Sequence, residues 1–395
     1  MVVIRGRNRG RGARAGAAAR RAPSAGGTPT VPAAAGRWLF TGGDGRLTAY
    51  ATSAAGPVRW TETAHGTFDG PYTTEAPGWA GPLSLASSRE GYVYFAGLRV
   101  PEDGGLPSVV VSTQYQTGRP LADWYDLGVP RPSGEEGAVA DAVAAGPVVV
   151  VNQVSGSVHV LVSLPRTGIL RRSRTGEGRW GRWKRVTDRP YAGEFTAAMP
   201  TGGPLEVLAV GHEGSVDRWA GAGGGRFELR DRFGTSVVDG TPTALETARK
   251  RATYIWRHSG DDSLVAWRAG DGGSGRLLPL GGAGGRGRPG VTRAPVGGHD
   301  CTVLAQTGAH GAVEVAAHVT GSEEYGTWWA PVGDPGTPLV APQPGVDGAG
   351  RVVVAALDGT GALVLTRQDP TQDGLAFGPW NREGTHAPSA AGRHG

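Results

Sequence analysis

Hydrophobic residues in this chain fall in short alternating runs, and each run ends in a cluster of glycine, aspartate or proline. Residues 205–210 form one apolar run, residues 211–214 a polar turn, and residues 215–219 a second run. The same order recurs over residues 351–367 and residues 38–50. No stretch keeps the 3.6-residue period of an amphipathic helix, and glycine and aspartate tolerate the positive φ of tight hairpins. The pattern therefore predicts many short strands joined by hairpin turns.

A five-residue motif also recurs, consisting of an anchor residue, two variable positions, an apolar residue and glycine. Its clearest copies begin at Trp124 and Trp329. Looser copies complete the set of anchors: Trp60, Trp124, Trp183, Arg230, Leu277, Trp329 and Trp380. Successive anchors lie 47 to 64 residues apart, and an aromatic residue repeated every ~40–50 residues is typical of propeller blades. The seven units predict an all-β fold, a seven-bladed β-propeller.

The repeats also set the expected domain organisation. Residues 27–385 form the propeller, preceded by a basic disordered tail (1–26) and followed by a disordered C-terminal tail (386–395). Thr28 and Pro29 give the first unit its own opening strand, so we expect the ring to close by packing, without strand exchange. The second and third units are longer than the rest, and we expect their insertions, residues 101–107 and 165–178, to be exposed loops.

The net charge of +5 is concentrated in the tail. Residues 1–21 hold seven arginines and no acidic residue, which leaves 33 basic against 35 acidic residues in the rest of the chain. A neutral body argues against a propeller face made for nucleic acid or an anionic membrane. The Arg/Gly-rich tail is suited only to weak, non-specific contact with phosphates.

No apolar run approaches the ~20 residues of a membrane helix, and no export signal follows Arg20 and Arg21. A cytoplasmic location is the default expectation.

Motifs for catalysis or cofactors are weak. The single cysteine, Cys301, excludes an intramolecular disulfide and a cysteine-based zinc site, and its apolar neighbours predict a buried strand. The nine histidines do not cluster. Residues 282–287 match the dinucleotide-binding pattern by letter but lead into Arg-Pro-Gly, without the helix that would bind a phosphate. Residues 259–263 resemble a sialidase Asp-box only faintly and are expected to form a hairpin turn. We expect no cofactor, no metal and no enzymatic activity.

Three stretches carry a resemblance to a known family: residues 205–214, residues 311–315, and Trp180-Gly-Arg-Trp183. They resemble repeats of the seven-bladed propeller lectins related to the Photorhabdus fucose-binding lectins and, more distantly, tectonin-type repeats. The resemblance covers the repeat frame over most of the chain. It implies a propeller that binds carbohydrate. The chain departs from the pattern at the anchors Arg230 and Leu277, where tryptophan is missing.

Candidate ligand contacts are the tryptophans in and beside the motif: Trp180, Trp183, Trp328, Trp329 and Trp380. Aromatic faces stack on the apolar side of a sugar, and shallow clefts between blades can add polar partners. The anchors have an alternative role, because a large ring on the outer strand, facing the next blade, would seal the interface. Two other functions stay open. One is a protein-interaction scaffold that uses the channel or the loops at 101–107 and 165–178. The other is a propeller enzyme with carboxylates at the channel mouth.

Overall fold

A computed structural model describes residues 36–132, 142–191, 195–211, 214–270 and 275–384. In this part of the chain, the strands form seven antiparallel sheets, each made of four strands that are consecutive in the sequence. The expected all-β, seven-bladed propeller is therefore confirmed. The two expected tails, 1–26 and 386–395, lie outside the described residues. No helix of the described residues is long and apolar enough to cross a membrane.

The first three blades occupy the chain up to residue 187. Blade 1 comprises β1 (Leu39–Thr41), β2 (Leu47–Ser53), β3 (Gly56–Glu62) and β4 (Phe68–Thr73). Blade 2 comprises β5 (Ser84–Ser87), β6 (Val93–Arg99), β7 (Ser108–Gln114) and β8 (Tyr125–Gly128). Blade 3 comprises β9 (Val148–Val151), β10 (Val158–Leu164), β11 (Gly168–Arg174) and β12 (Lys184–Thr187).

The other four blades follow in the same strand order. Blade 4 comprises β13 (Phe195–Ala198), β14 (Glu206–Val210), β15 (Ser215–Gly221) and β16 (Phe227–Gly234). Blade 5 comprises β17 (Thr243–Ala248), β18 (Arg251–Arg257), β19 (Leu264–Arg268) and β20 (Arg276–Gly281). Blade 6 comprises β21 (Arg286–Val296), β22 (His299–Thr307), β23 (Val313–Val319) and β24 (Trp328–Pro331). Blade 7 comprises β25 (Leu339–Val346), β26 (Val352–Asp358), β27 (Leu363–Arg367) and β28 (Asn381–Arg382).

The recurring motif joins neighbouring blades. The indole N–H of Trp329 donates to the carbonyl of Leu280 at 2.7 Å, and that of Trp380 donates to the carbonyl of Val332 at 2.6 Å. Trp183 donates in the same way to Leu127, at 3.2 Å. In every pair the acceptor is the apolar residue of the motif in the preceding blade. In these blades the motif therefore supplies an anchor to one interface and an acceptor to the next.

Blades 1, 4 and 5 fill the same interface from the third strand instead. Trp267 of β19 stacks on Phe233, the motif's apolar residue in blade 4, with ring centroids 5.0 Å apart and planes 10° apart. Trp219 of β15 packs on the cluster that contains Val186 of blade 3. Arg230 and Leu277, the anchors expected on the outer strands of blades 4 and 5, are exposed. The tryptophans that the motif lacks in these blades are thus replaced on a neighbouring strand.

The expected position of the blade 1 anchor, Trp60, was wrong by one strand. Trp60 lies on the third strand, β3, where it is 1% exposed, and the outer strand β4 carries no copy of the motif. Thr28 and Pro29 lie outside the described residues, and blade 1 is complete without them. A Cβ added to Gly384, the motif glycine of blade 7, would lie 3.2 Å from Cδ1 of Trp60. Trp60 therefore fills the interface with blade 7 from β3.

Closure without strand exchange is confirmed, because each of the seven sheets contains only its own four consecutive strands. Side chains join blade 7 to blade 1 in place of a shared strand. Arg367 donates to the Glu62 carboxylate at 2.6 Å, and the Phe68 amide donates to the Glu383 carboxylate at 3.0 Å. The two blades also share one apolar cluster that runs from blade 2 to blade 7.

The two predicted insertions have different outcomes. Residues 101–107 connect β6 to β7, and residues 101–106 are exposed, which confirms a loop. The loop predicted at 165–178 is wrong, because it contains the strand β11. The apolar half of β11, beginning at Gly168, is buried, whereas the arginines of its second half reach the blade surface. Long arginine stems cover apolar surface readily, so these arginines fit a strand at the surface of the blade.

Three smaller predictions are confirmed. Cys301 lies on β22 and is 6% exposed. Residues 259–263 connect β18 to β19 as a turn. The glycine-rich residues 282–287 lead into the strand β21 and not into a helix. Gly285 is required there by close packing, because an added Cβ would collide with the Gln306 amide and the Arg257 guanidinium.

Candidate functional site

Three of the five predicted tryptophans are committed to the interfaces between blades. Trp183 is buried, and Trp329 and Trp380 are partly buried, and all three use their indole N–H on the preceding blade. This geometry fits the sealing role expected for anchors. Trp380 also lines a cleft of about 310 Å³, together with Thr360 and Arg382. Its ring therefore serves an interface and reaches a surface cleft as well.

The other two tryptophans stand outside the anchor positions. Trp328 is 85% exposed at the start of β24, close to the exposed Tyr325, and lines none of the cavities described here. Trp180 is partly buried in the loop between β11 and β12 and lines a cleft of about 420 Å³ between blades 2 and 3. We call this cavity the blade 2–3 cleft. It is the place where a predicted tryptophan meets other aromatic side chains in a concave site.

The aromatic wall of the blade 2–3 cleft comes from both blades. Trp180 belongs to blade 3, whereas Tyr115 and Tyr125 belong to blade 2 and are 48% and 52% exposed. Tyr125 follows the anchor Trp124, whose ring packs toward blade 1. Neighbouring residues on a strand point to opposite faces, so Tyr125 faces blade 3. Tyr115 is fixed edge-to-face against Tyr92, with ring centroids 5.3 Å apart.

Backbone pairing holds Trp180 in place. An isolated antiparallel bridge joins Trp180 to Arg174 at the end of β11. The intervening turn is tight, since the Thr175 amide donates to the Arg179 carbonyl at 3.0 Å and the Gly178 amide to the Thr175 carbonyl at 2.9 Å. Gly178 takes a φ of +87°, which a residue with a side chain rarely adopts. The tryptophan is therefore presented on a short, hydrogen-bonded hairpin.

Polar groups lie around the rings of the blade 2–3 cleft. Arg174, Arg179 and Asp123 supply charge of both signs, and Thr113 supplies a hydroxyl. Arg174 donates from Nε to the Gly178 carbonyl at 3.3 Å, which orients its guanidinium. Tyr94 lies at the base of the cleft, where burial raises the pKa of its phenol while the charge of Arg174 acts to lower it. The phenol is therefore a neutral donor and acceptor at physiological pH.

The blade 2–3 cleft combines partly exposed aromatic faces with convergent polar groups, in the size range of small-molecule sites. Trp180 is predicted by the sequence, whereas Tyr115, Tyr125 and Arg174 are not. The sequence does contain a signal for Tyr125. A residue directly after an anchor that faces the preceding blade must face the next blade. Tyr115 and Arg174 carried no signal, since their approach depends on how two blades pack.

Catalytic and metal-binding groups are the other candidates for a functional site. Among the described residues, no group of three or more histidine, cysteine, aspartate or glutamate side chains is placed to bind a metal ion. Glu246 is the one carboxylate among the described residues that line the central channel. Its Oε2 accepts hydrogen bonds from the backbone amide and the hydroxyl of Thr201, both at 3.0 Å. Carboxylates from several blades do not converge in this part of the structure.

Comparison with known proteins shows no matching family model and no matching curated protein. Solved structures do match. BP39L lectin from Burkholderia pseudomallei has 15% sequence identity and a TM-score of 0.63, over 90% of this chain and 98% of the lectin. AofleA from Arthrobotrys oligospora has 10% identity and a TM-score of 0.50, over 90% of this chain and 96% of its own. The NanB sialidase from Streptococcus pneumoniae has 7% identity and a TM-score of 0.50, over 73% of this chain and 67% of the sialidase. At these identities the likeness shows the fold alone, a β-propeller.

Proposed function

We propose that this protein is a carbohydrate-binding module that holds a glycan in the blade 2–3 cleft. The observation that carries the proposal is the meeting of Trp180, Tyr115 and Tyr125 in one concave site between two blades. The ring of Trp180 stacks on the apolar face of a sugar, and the two tyrosines border it. Arg174, Asp123 and Thr113 then hydrogen-bond to the sugar hydroxyls. The shared fold with BP39L, a lectin, supports this assignment.

Binding without chemical conversion fits the same geometry. Hydrolysis of a glycosidic bond usually requires two carboxylates on either side of the bond. Among the described residues, Asp123 is the one carboxylate that lines the blade 2–3 cleft, and it is exposed. We therefore propose a non-enzymatic role, as the sequence predicts.

We expect Trp180→Ala to weaken glycan binding by at least about tenfold, or ~1.4 kcal/mol, because it removes the stacking surface. A glycan array identifies a ligand for the wild-type chain, and isothermal titration calorimetry then compares the variants. Trp328→Ala is the matched control, since Trp328 is exposed on blade 6 and does not line the cleft. We expect it to bind like wild type. An array without hits, or equal affinities for wild type and W180A, would contradict the proposal.

The smaller cleft at Trp380 offers a second site of the same kind. It places Trp380 beside Thr360 and Arg382. In the calorimetry experiment, two sites per chain in wild type and one in W180A would assign the second site to this cleft. Loss of all binding in W180A would leave the blade 2–3 cleft as the functional one.

The exposed loop at residues 101–107 favours a second candidate function, a protein-interaction scaffold. Residues 101–106 are exposed, and Leu106 is 38% exposed. A shortened loop would abolish capture of a protein partner without changing the propeller's unfolding midpoint. Unchanged recovery of that partner by the shortened chain would rule out this loop as its contact.

A further inference from the structure

The central channel contains a second cavity, of about 500 Å³, which has Val149 in common with the blade 2–3 cleft and is otherwise lined by different residues. All seven innermost strands contribute to its wall, from Phe40 on β1 to Gln343 on β25. Much of the wall is apolar, including Leu85, Val150 and Val291, which are each less than 10% exposed. The proposed glycan site does not include this cavity.

One end of the channel carries positive charge. Equivalent strands of a propeller run in the same direction, so residues just before or at the start of the innermost strands meet at one end. Arg37 precedes β1 and Arg288 lies near the start of β21, and both line the cavity. A Cβ added to Gly36 would lie 3.8 Å from Nη1 of Arg288, which places the two arginines at the same mouth.

The two guanidiniums are held in defined positions. Arg37 donates from Nε to the Leu39 carbonyl at 3.1 Å, and its guanidinium carbon lies 5.1 Å from the centre of the Phe40 ring. Arg288 donates from Nε to the Gly240 carbonyl at 2.8 Å. Burial lowers the pKa of Arg37 from its ordinary value, although the guanidinium stays charged at neutral pH.

Among the described residues, carboxylates are scarce along the channel wall beside Arg37. Within the described residues, Arg37 makes no ion pair with a carboxylate, and the sole acidic residue of the wall, Glu246, is hydrogen-bonded to Thr201. Thr201 belongs to the connection between β13 and β14, which lies at the opposite end of the innermost strand from Arg37. Charges withdrawn from water are normally paired, and guanidinium forks match carboxylates in a bidentate geometry.

We propose that the channel mouth is a binding site for a small carboxylate with an apolar body. The carboxylate contacts Arg37 and Arg288, and the apolar body lies in the channel against Phe40, Leu85 and Val291. This site is independent of the glycan-binding cleft, which is lined by none of these residues.

The test is isothermal titration calorimetry of the full chain with sodium benzoate at constant ionic strength. Benzyl alcohol is the neutral analogue and inorganic phosphate the anion without an apolar body. We expect one benzoate per chain, at least tenfold weaker binding of the two analogues, and at least a tenfold loss of benzoate affinity in Arg37→Gln. Arg276→Gln removes an exposed arginine on β20 outside the channel and should leave the affinity unchanged.

Several outcomes would overturn the proposal. Absence of benzoate binding would do so, as would equal affinity in wild type and R37Q. Equal affinity for benzyl alcohol and benzoate would show that the channel does not recognise the charge. Equal affinity for phosphate and benzoate would show that the apolar wall does not contribute to binding. If R37Q does not fold, Arg37→Lys keeps the charge and loses the planar fork, and it should lower the affinity to a smaller extent. Benzoate binding that is identical in R37K and R276Q would then contradict the role of Arg37.

Discussion

Replacing Arg257 by methionine is expected to lower the free energy of unfolding by about 3–5 kcal/mol, because several buried acceptors lose their donor at once. Arg257 lies on β18 and is 1% exposed, which is unusual for arginine. Its guanidinium donates to the Gly287 carbonyl at 2.7 Å, to the Asp262 carbonyl at 2.9 Å and to the Gln306 amide oxygen at 2.8 Å. Methionine fills similar volume but donates none of these bonds.

The position of Arg257 explains the size of this effect. The residue joins blade 5 to the glycine-rich segment 282–287 and to Gln306 of blade 6, which in turn donates to Glu314 at 2.8 Å. Burial lowers the pKa of Arg257 to about 10, so the side chain remains a cation at neutral pH. Its bonds are therefore charge-assisted, the stronger class of hydrogen bond.

Urea denaturation of R257M and wild type measures this loss as a shift of the midpoint. Arg276→Met is the matched control, since it lies in the same blade but is exposed, and we expect it within about 0.5 kcal/mol of wild type. A loss below 1 kcal/mol in R257M would show that water replaces the guanidinium without penalty. That result would contradict the role assigned to Arg257.

The same segment shows what the sequence revealed of the fold. Residues 282–287 match a dinucleotide pattern, and the prediction that no helix follows them is confirmed, because they lead into the strand β21. Their real role could not be predicted, because it depends on an arginine about 25 residues earlier that lies against Gly285. The seven-blade count, in contrast, needed only local information, since each motif copy recurs at nearly the length of one blade.

Trp60 and β11 show where local information fails. The motif was assigned to Trp60 because tryptophan is common at the anchor, but the same interface can be filled from the third strand, as Trp219 and Trp267 do. Residues 165–178 are expected to form a loop because the third unit is longer than the rest, yet they contain the strand β11. In both places, the burial of a side chain depends on the neighbouring blade, which one repeat cannot reveal.

The candidate site, too, could be predicted only in part from the sequence. Trp180 could be predicted from its place three residues before an anchor, but its partners Tyr115 and Tyr125 lie in another blade. The motif alone did not separate rings that seal an interface from rings that border a cleft. The indole hydrogen bonds of Trp183 and Trp329 to the preceding blade make that distinction.

The second prediction with a large expected effect on stability concerns the interface between blades 7 and 1, where the ring closes. We expect Arg367→Ala to lower the free energy of unfolding by about 3–5 kcal/mol at neutral pH, because it leaves two largely buried carboxylates without their shared cation. Arg367 donates to Asp347 at 3.1 Å and to Glu62 at 2.6 Å, and these carboxylate side chains are 4% and 10% exposed. The ring has no shared strand across this interface, so the Arg367–Glu62 ion pair, which joins blade 7 to blade 1, carries more of the closure.

The effect of Arg367→Ala should depend on pH with a defined sign. Burial acts to raise the pKa of Asp347, but hydrogen bonds from the Arg351 side chain and backbone outweigh it, so the pKa lies below its ordinary value. A carboxyl group with a lowered pKa stabilises the fold above its unfolded pKa of about 3.9, and this contribution is lost as the pH falls through the folded pKa. An ionised Asp347 needs a cationic partner and a protonated Asp347 does not, so the difference between wild type and R367A should be largest near neutral pH and shrink below about pH 4.

Arg351→Ala is the matched control for this prediction. Arg351 donates to the same Asp347 oxygen at 2.9 Å, but its side chain is 39% exposed and it lies within blade 7. Because Asp347 keeps Arg367 as a partner in this variant and the Arg351 side chain is partly solvated, we expect R351A to cost less than R367A. Urea denaturation at pH 7 and pH 3.5 compares the three proteins. Two results would contradict the prediction: equal losses of unfolding free energy in R351A and R367A, or a loss in R367A that does not shrink at pH 3.5. Either result would show that apolar packing of Trp60 and its cluster closes the ring without help from these ion pairs.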